Sequence, residues 1–548
     1  MVDMLLSGTY LKERGKTFFL ISTVTTFSLV VLIMLIGWRL NNVVLQISAV
    51  LSSLLLMAWA IAFRQDEAAA VLCIAVHLYV DWYLGARVLA LGLVMALLLV
   101  LYLTRSPQRP WLFPRAGVLW CLLLGLAIFP ALRGYTLPDG MTYYLTIFFA
   151  PLLTFWLGSL LAQDMTRVRR LFMLLAALGA LLAIVSLTQA ATGKLLLAST
   201  RFDQYLAQVA DFQLSPGGSI YRTGTFFTNP DSNGTFFAVI VFLPLSLFFA
   251  STTRRAKILY LAEILLIILA LLSTYSTGAW VAGMVALLLF LVLLGNMRLR
   301  LYVLGSIACI AIILLVFFHT QLVHQLQHIA AVGDLVDRLI AWQIALRVIK
   351  ALPLTGLGLG TFAYYYRAQA FRLPGRFNPL AHPHNSFLEI AAMGGLPLLL
   401  VFLVLLFLAI WWAFRNWARA DVQARMLLTG GIGAVVALTI NSLGVNSWTL
   451  APLAALGWLI LGALASPLLT DTFSRVTKPG VVSIGREEYV HMASQAVTNQ
   501  TAFPEDISPL EASSSADQGT MLEDPDQTEK RKVITGAEAR VYEQKQTS

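Results

Sequence analysis

The stretch AHPHNSFLEIAAMGGLP, residues 381–397, sets His382, His384, Asn385 and Glu389 directly in front of a long apolar run. An imidazole titrates near neutrality, so it can take a proton from a hydroxyl at working pH. His384 is the candidate general base, and His382 is kept as a second candidate. Pro383 prevents a regular helix between them, which leaves the two side chains free to point differently. Asn385 and Glu389 are supporting residues, Glu389 either orienting His384 or simply opening the helix that follows. A structurally satisfied histidine at a helix border is the plainer alternative while this stretch is taken alone.

A second set of residues suits phosphate. Guanidinium groups present forked donors that match phosphate oxygens. Arg222 opens YRTGTFFTNPDSNG, residues 221–234, where Asn229-Pro230 and Asn233-Gly234 are turn formers. The plain alternative is a loop ending in a helix cap, with Asp231 or Asn233 as the cap. Arg338 opens RLIAWQIALRVIKALPLTGLGLGTF, residues 338–362, and STYSTGAW, residues 273–280, gathers hydroxyls at a helix boundary. The latter also reads as a simple turn. Gly356, Gly358 and Gly360 follow no strand, which favours a flexible or tight turn over a dinucleotide site. Asp203, Asp211 and Asp231 are scattered, and Asp334 and Asp337 sit within a helix near arginines, so no acidic cluster suits a divalent cation. Cys73, Cys121 and Cys309 lie in apolar runs at no metal-ligand spacing. No metal and no cofactor is expected.

The elements that must position these residues are membrane helices. Of 548 residues 58% are hydrophobic and 12% charged, against ~25% charged in an ordinary soluble domain. Apolar runs of the length needed to cross a bilayer recur throughout. The expected fold is all-α, a polytopic helical bundle of about fourteen spans, with twelve as the alternative if the pair at 68–104 is lost. The spans are placed near 17–38, 43–63, 68–84, 87–104, 116–132, 142–162, 171–191, 233–250, 258–273, 278–295, 301–318, 388–412, 426–445 and 448–465. Lys12, Arg14 and Lys16 precede an apolar stretch too long for a secretory signal, which is read as an uncleaved first span. With that N-terminus (1–16) inside, Lys and Arg concentrate in alternate short loops, as the positive-inside bias requires. Topology then accounts for most of the net charge of +10, and no nucleic-acid partner is implied.

Membrane helices at 17–191, 233–318 and 388–465 are thus separated by two long outer loops, 192–232 and 319–387. The second loop carries an amphipathic stretch ended by Pro353, with Leu335, Leu339, Trp342 and Ala345 on one stripe, expected to lie along the membrane surface. Cations avoid outer loops unless something there wants them, yet these two hold Lys194, Arg201, Arg222, Arg338, Arg347, Lys350, Arg367, Arg372 and Arg376. Residues 466–548 are rich in Ser, Thr and acidic groups and are read as a disordered cytoplasmic tail.

Taken in order, the four patterns resemble the O-antigen ligase and polymerase family of bacterial membrane glycosyltransferases. Arg222, Gly224, Thr225, Phe226, Asn229 and Pro230 match its first segment, with Asp231 where the family usually has a second Asn. Arg338, Trp342, Pro353, Gly356, Gly358 and Gly360 match its arginine-to-glycine run. His384, Asn385, Leu388 and Glu389 match its last signature. Where the family has Ser-Arg-Gly, this chain has Ser276-Thr277-Gly278, which implies that another cation, such as Arg338 or a nearby loop arginine, does that arginine's work or that the donor is bound differently. The resemblance covers about residues 140–465.

It implies transfer of a glycan from an undecaprenyl-diphosphate carrier to a glycan, lipid or polymer acceptor hydroxyl, on the outer face of the bacterial cytoplasmic membrane, with both termini inside. His384 would act as base, while Arg222 and Arg338 would bind the donor diphosphate, with His382, Asn385, Glu389 and Asn229 in support. A direct displacement would invert the anomeric carbon without a metal. A polymerase of the same family, a lipid-glycan transporter and a non-catalytic assembly partner are the alternatives. Against transport, the spans are nearly bare of charge, with Asp81 and Glu263 expected near span ends.

Overall fold

The computed structural model of the chain describes residues 65–80, 116–192, 211–215, 218–225, 227, 229–294, 333–370 and 382–470, with isolated positions elsewhere. These residues belong to one compact unit, Met1–Pro479. The spans expected at 17–38, 43–63, 87–104 and 301–318 fall outside them or touch them at single positions. Nearly all of the expected tail, Asp81, Phe226, and the loop cations Lys194, Arg201, Arg372 and Arg376 also lie outside the described residues.

The described chain is helical, apart from one short hairpin. Its helices are α1 (Asp66–Val80), α2 (Gly117–Leu132), α3 (Leu137–Tyr143), α4 (Ala150–Leu161) and α5 (Met165–Thr192). After the antiparallel strands β1 (Asp211–Ser215) and β2 (Gly218–Tyr221) come α6 (Pro230–Ile240), α7 (Phe242–Ala250), α8 (Arg254–Ser273) and α9 (Thr277–Leu293). The last six are α10 (Gly333–Ala351), α11 (Phe362–Ala370), α12 (Ser386–Gly394), α13 (Leu396–Arg419), α14 (Val422–Asn441) and α15 (Ala451–Leu464). Among the described residues seven helical runs are long and apolar enough to cross a membrane: Leu137–Leu161, Met165–Thr192, Pro230–Ala250, Arg254–Ser273, Leu396–Arg419, Val422–Asn441 and Ala451–Thr470. The helices α2 and α9 are apolar but shorter.

Prolines and glycines explain where helices bend. A π-helical segment, Tyr144–Phe149, joins α3 to α4 just before Pro151, whose missing N–H cannot continue the α ladder. Pro244 likewise removes the bond that would tie α7 back across the junction at Val241. The span expected at 388–412 is broken by Gly395, which has φ of 85°. It becomes the short α12 followed by α13.

With lipid outside, helices gain little from hydrophobicity alone and associate through close packing of small residues. The helices α4 and α15 meet this way. A Cβ on Gly158 would lie 2.1 Å from the Leu459 carbonyl oxygen, and one on Gly462 would lie 2.1 Å from that of Phe155. Beside this contact Trp120, Phe155, Phe402, Trp448 and Trp458 form an aromatic core, Trp120 and Trp458 meeting edge-on at 5.0 Å between centroids.

Three expectations are corrected. Ala345 of the expected stripe of α10 is buried, but it is joined by Ala341, Ile344 and Val348, while Leu339 is exposed. Helix periodicity located the element, but its partner α12 decides which face is covered. Glu263 sits in the middle of α8 rather than near a span end, with Oε2 buried and without a hydrogen-bond partner. The three cysteines, in apolar runs, read as small core hydrophobes; Cys73 is buried as such, Cys121 is exposed, and Cys309 lies outside the described residues.

Candidate active site

Arg222 leads into the first turn of α6, and the path to it is fixed from beneath. The Thr223 N–H donates to the Ser273 carbonyl at 3.3 Å, and the Thr225 N–H donates to Gln189 Oε1 at 3.0 Å. Ser186 Oγ donates to Thr223 Oγ1 at 2.7 Å, and Thr225 Oγ1 to Asn233 Oδ1 at 2.6 Å. Asn233 Nδ2 closes this buried net on the Thr223 carbonyl at 3.0 Å. Asn233 therefore anchors the loop instead of capping the helix. The cap is Asn229, whose Oδ1 accepts the Asp231 N–H at 2.8 Å.

Asp231 is the meeting point. Its Oδ1 accepts Arg222 Nη2 at 2.7 Å, and its Oδ2 accepts Arg338 Nη2 at 2.9 Å. The side chains of Arg222, Arg338 and Asp231 are only 13%, 21% and 13% exposed, so these are charge-assisted bonds in a largely desolvated place. Each guanidinium is also held by a backbone carbonyl. Arg222 Nε donates to Thr274 at 3.0 Å, in the turn between α8 and α9, and Arg338 Nη1 donates to Gly444 at 3.1 Å, in the turn after α14. Four segments far apart in sequence are thereby tied to one carboxylate.

The histidine segment closes on the same point. Trp342 Nε1, one turn along α10 from Arg338, donates to the Pro383 carbonyl at 2.8 Å. Asn385 caps α12, its Oδ1 accepting the N–H groups of Phe387 and Leu388 at 3.0 Å each, while its Nδ2 donates to the Leu443 carbonyl at 3.1 Å. The rings of His382 and His384 lie 4.4 Å apart, so Pro383 does not part them. Both Nδ1 atoms are buried without a hydrogen-bond partner. Burial, aided by the Arg338 charge, depresses the His384 pKa to about 4, with Asp231 acting in the opposite sense. Burial pushes His382 well below its usual value too, and His384 and Arg338 add to this. Both imidazoles are neutral at pH 7.

The backbone is strained here. Four non-glycine residues among the described ones have positive φ, and three of them are Thr225 (45°), Tyr275 (50°) and His384 (48°). Such conformations persist only where the surroundings over-determine them, and they concentrate at functional sites.

Other expected site residues have different places. The Glu389 carboxylate is buried, and its Oε2 accepts a hydrogen bond from Thr449 Oγ1. Thr277 opens α9 behind Ser276, and a Cβ on Gly234 would stand 2.7 Å from the Ser276 Cβ. The hydroxyl turn thus packs against the first turns of α6. The glycine run is a tight turn: Gly356, Gly358 and Gly360 have φ of 61°, 113° and 75°. Its Leu357 and Gly358 N–H groups each donate at 2.9 Å to the α12 carbonyls of Ala392 and Met393, and Leu359 N–H donates to Pro130 in α2 at 2.8 Å. No group of three or more His, Cys, Asp or Glu is placed to hold a metal ion among the described residues.

The turn at 441–449 has no counterpart among the expected site residues. Besides holding Arg338 and Asn385, it gives the Ser442 carbonyl to the Ser386 N–H at 3.0 Å, and the Trp448 N–H donates to Ser386 Oγ at 3.0 Å. Its turn formers, NSLGVNS, were the available signal. Residues 262–403, which run from α8 through the hydroxyl turn, Arg338, the glycine run and His384, match the family model described as O-antigen ligase. Comparison with curated proteins gave no match.

Proposed function

With residues 262–403 assigned to the O-antigen ligase family, we propose that this membrane protein transfers a glycan from an undecaprenyl-diphosphate carrier to an acceptor hydroxyl. The site lies on the outer face of the bacterial cytoplasmic membrane, in a bundle of about fourteen spans with both termini inside. The observation that carries the reading is the convergence of Arg222, Arg338 and the neutral His384 around Asp231.

In this reading the acceptor hydroxyl gives its proton to the His384 imidazole as its oxygen bonds to the anomeric carbon. The bond from that carbon to the diphosphate oxygen breaks, and the electron pair stays on the diphosphate. The leaving group departs as an anion, so it needs charge stabilisation rather than a proton. Arg222 and Arg338 supply that charge from fixed positions, which requires no reorganisation during the reaction. A single displacement inverts the anomeric configuration. Arg338, from α10, stands in for the arginine that the Thr277 position lacks. His382 holds the ring of His384 in place, while Asn229 and Asn385 cap α6 and α12 and so fix Asp231 and His384 beside them.

The test is a cell-free assay with purified protein and a carrier-linked glycan. His384→Ala is expected to lower kcat by ~10²–10⁴, and Arg222→Ala by ~10²–10³. EDTA is expected to leave the rate unchanged. Unaltered activity in His384→Ala removes the base, and a loss with EDTA that a divalent cation restores overturns the metal-free step. A transport reading draws on Glu263, a partnerless carboxylate oxygen mid-span. Glu263→Gln is expected to leave glycan transfer intact.

A further inference from the structure

Two guanidinium groups held this close repel each other, and burial strengthens the repulsion. The arrangement stands because one carboxylate lies between them, an oxygen to each, at 2.7 and 2.9 Å. Both arginines also donate to backbone carbonyls, of Thr274 and Gly444. These orient but carry no net charge. Asp231 is itself fixed, in the first turn of α6, whose N-terminus favours a negative side chain. An Asn at this position, as in the resembling family, offers one acceptor oxygen, and its amide would face the second guanidinium donor to donor.

We infer that Asp231 is a positioning residue that sets both the spacing and the net charge of the phosphate-binding pair Arg222 and Arg338. This rests on the assignment of those arginines to the donor diphosphate. The carboxylate holds the two forks at one separation before a donor arrives. It also offsets one of their two charges, which weakens the hold on the diphosphate and lets the product leave. Ground-state affinity is given up so that the arginines stand where charge develops during transfer.

The experiment compares wild type, Asp231→Asn and Asp231→Glu, each purified and monodisperse, in two measurements. The first is binding of inorganic pyrophosphate by calorimetry, which needs no glycan transfer. Asp231→Asn is expected to bind at least threefold more tightly, and Asp231→Glu, which keeps the charge, within twofold of wild type. The second is turnover of the carrier-linked glycan. Asp231→Asn is expected to lower kcat at least tenfold while donor KM falls, and Asp231→Glu to recover part of kcat. If Asp231→Asn does not fold, Asp231→Glu decides, by unchanged affinity with reduced kcat.

Unchanged pyrophosphate affinity in Asp231→Asn, or tighter binding with kcat intact, overturns the inference. So does the lack of saturable pyrophosphate binding to wild type. If the pyrophosphate pattern holds but wild type transfers no glycan, the glycosyl-transfer reading falls while the role of Asp231 stands.

Discussion

His384 is held as a neutral imidazole by burial and by Arg338, and this sets how the site answers to pH. A base must be unprotonated to act, so kcat/KM is expected to stay level from pH 8 down to about pH 5, with an acid limb near the depressed pKa of about 4. An ordinary histidine would place that limb at ~6.5. A bound diphosphate brings negative charge beside the ring and raises its proton affinity, so the limb for kcat is expected at higher pH than that for kcat/KM. A kcat/KM limb at ~6.5 would show that Arg338 and burial do not act on the base, and equal limbs would show that the bound diphosphate does not stand beside it. Stability follows the same shift. The unfolded chain takes up a proton below ~6.5 that folded His384 refuses until about 4, so stability is expected to fall as pH drops through that window. At Arg222, lysine is not an equivalent. A point charge cannot hold Asp231 and the Thr274 carbonyl in the same fork, and Arg222→Lys is expected to lose most of the activity that Arg222→Ala loses.

The glycine run is the element whose form most directly places the histidines. Its three positive φ angles allow the chain to turn tightly enough for two N–H groups to reach the end of α12. A Cβ on Gly358 would stand 2.2 Å from the Arg133 carbonyl oxygen. Gly358→Ala is therefore expected to destabilise by ~1–3 kcal/mol and to reduce activity by more than its stability loss explains. Thermal unfolding and glycan turnover, measured on the same preparation, check this. Wild-type values for both would mean that the turn can relax without moving α12. Asn385 and Asn229 act at the same scale. Each satisfies the open N–H groups of a helix start and so aims the residues beside it, His384 and Asp231.

Across the whole molecule, the bundle is closed by helix pairs that approach at glycine. Gly158→Leu puts a side chain where α15 backbone already lies and is expected to cost about 1–3 kcal/mol or to abolish a monodisperse protein in detergent. Gly125, whose Cβ would meet nothing within 4 Å, is the matched control, and Gly125→Leu is expected to be well tolerated. The proposed orientation has its own check. In a background without native cysteines, Thr136→Cys is expected to react with an impermeant thiol reagent from outside, and Arg254→Cys only after the membrane is opened. Reversed labelling would put the arginine cluster on the wrong face for the proposed chemistry.

Apolar run length made several of the spans legible from the sequence. Those expected at 116–132, 171–191, 258–273 and 426–445 correspond to α2, α5, α8 and α14. Run length suffices because each backbone polar group in lipid must bond within its own helix, a local requirement. Residue type also pointed to Arg222, Arg338 and His384, since phosphate and proton transfer call for those groups. Other features depended on contacts between distant segments. Helix periodicity found Ala345 but could not say that Ala341, Ile344 and Val348 would be buried rather than Leu339. Nothing local marked Asp231 as more than a cap candidate, or Gly444 as the carbonyl that holds Arg338 from 106 residues away. Only the tertiary structure decided that two cations share one carboxylate with an imidazole near enough to feel its charge. Charge burial is tolerable only where every partner arrives together, and that arrival is a property of the packed bundle.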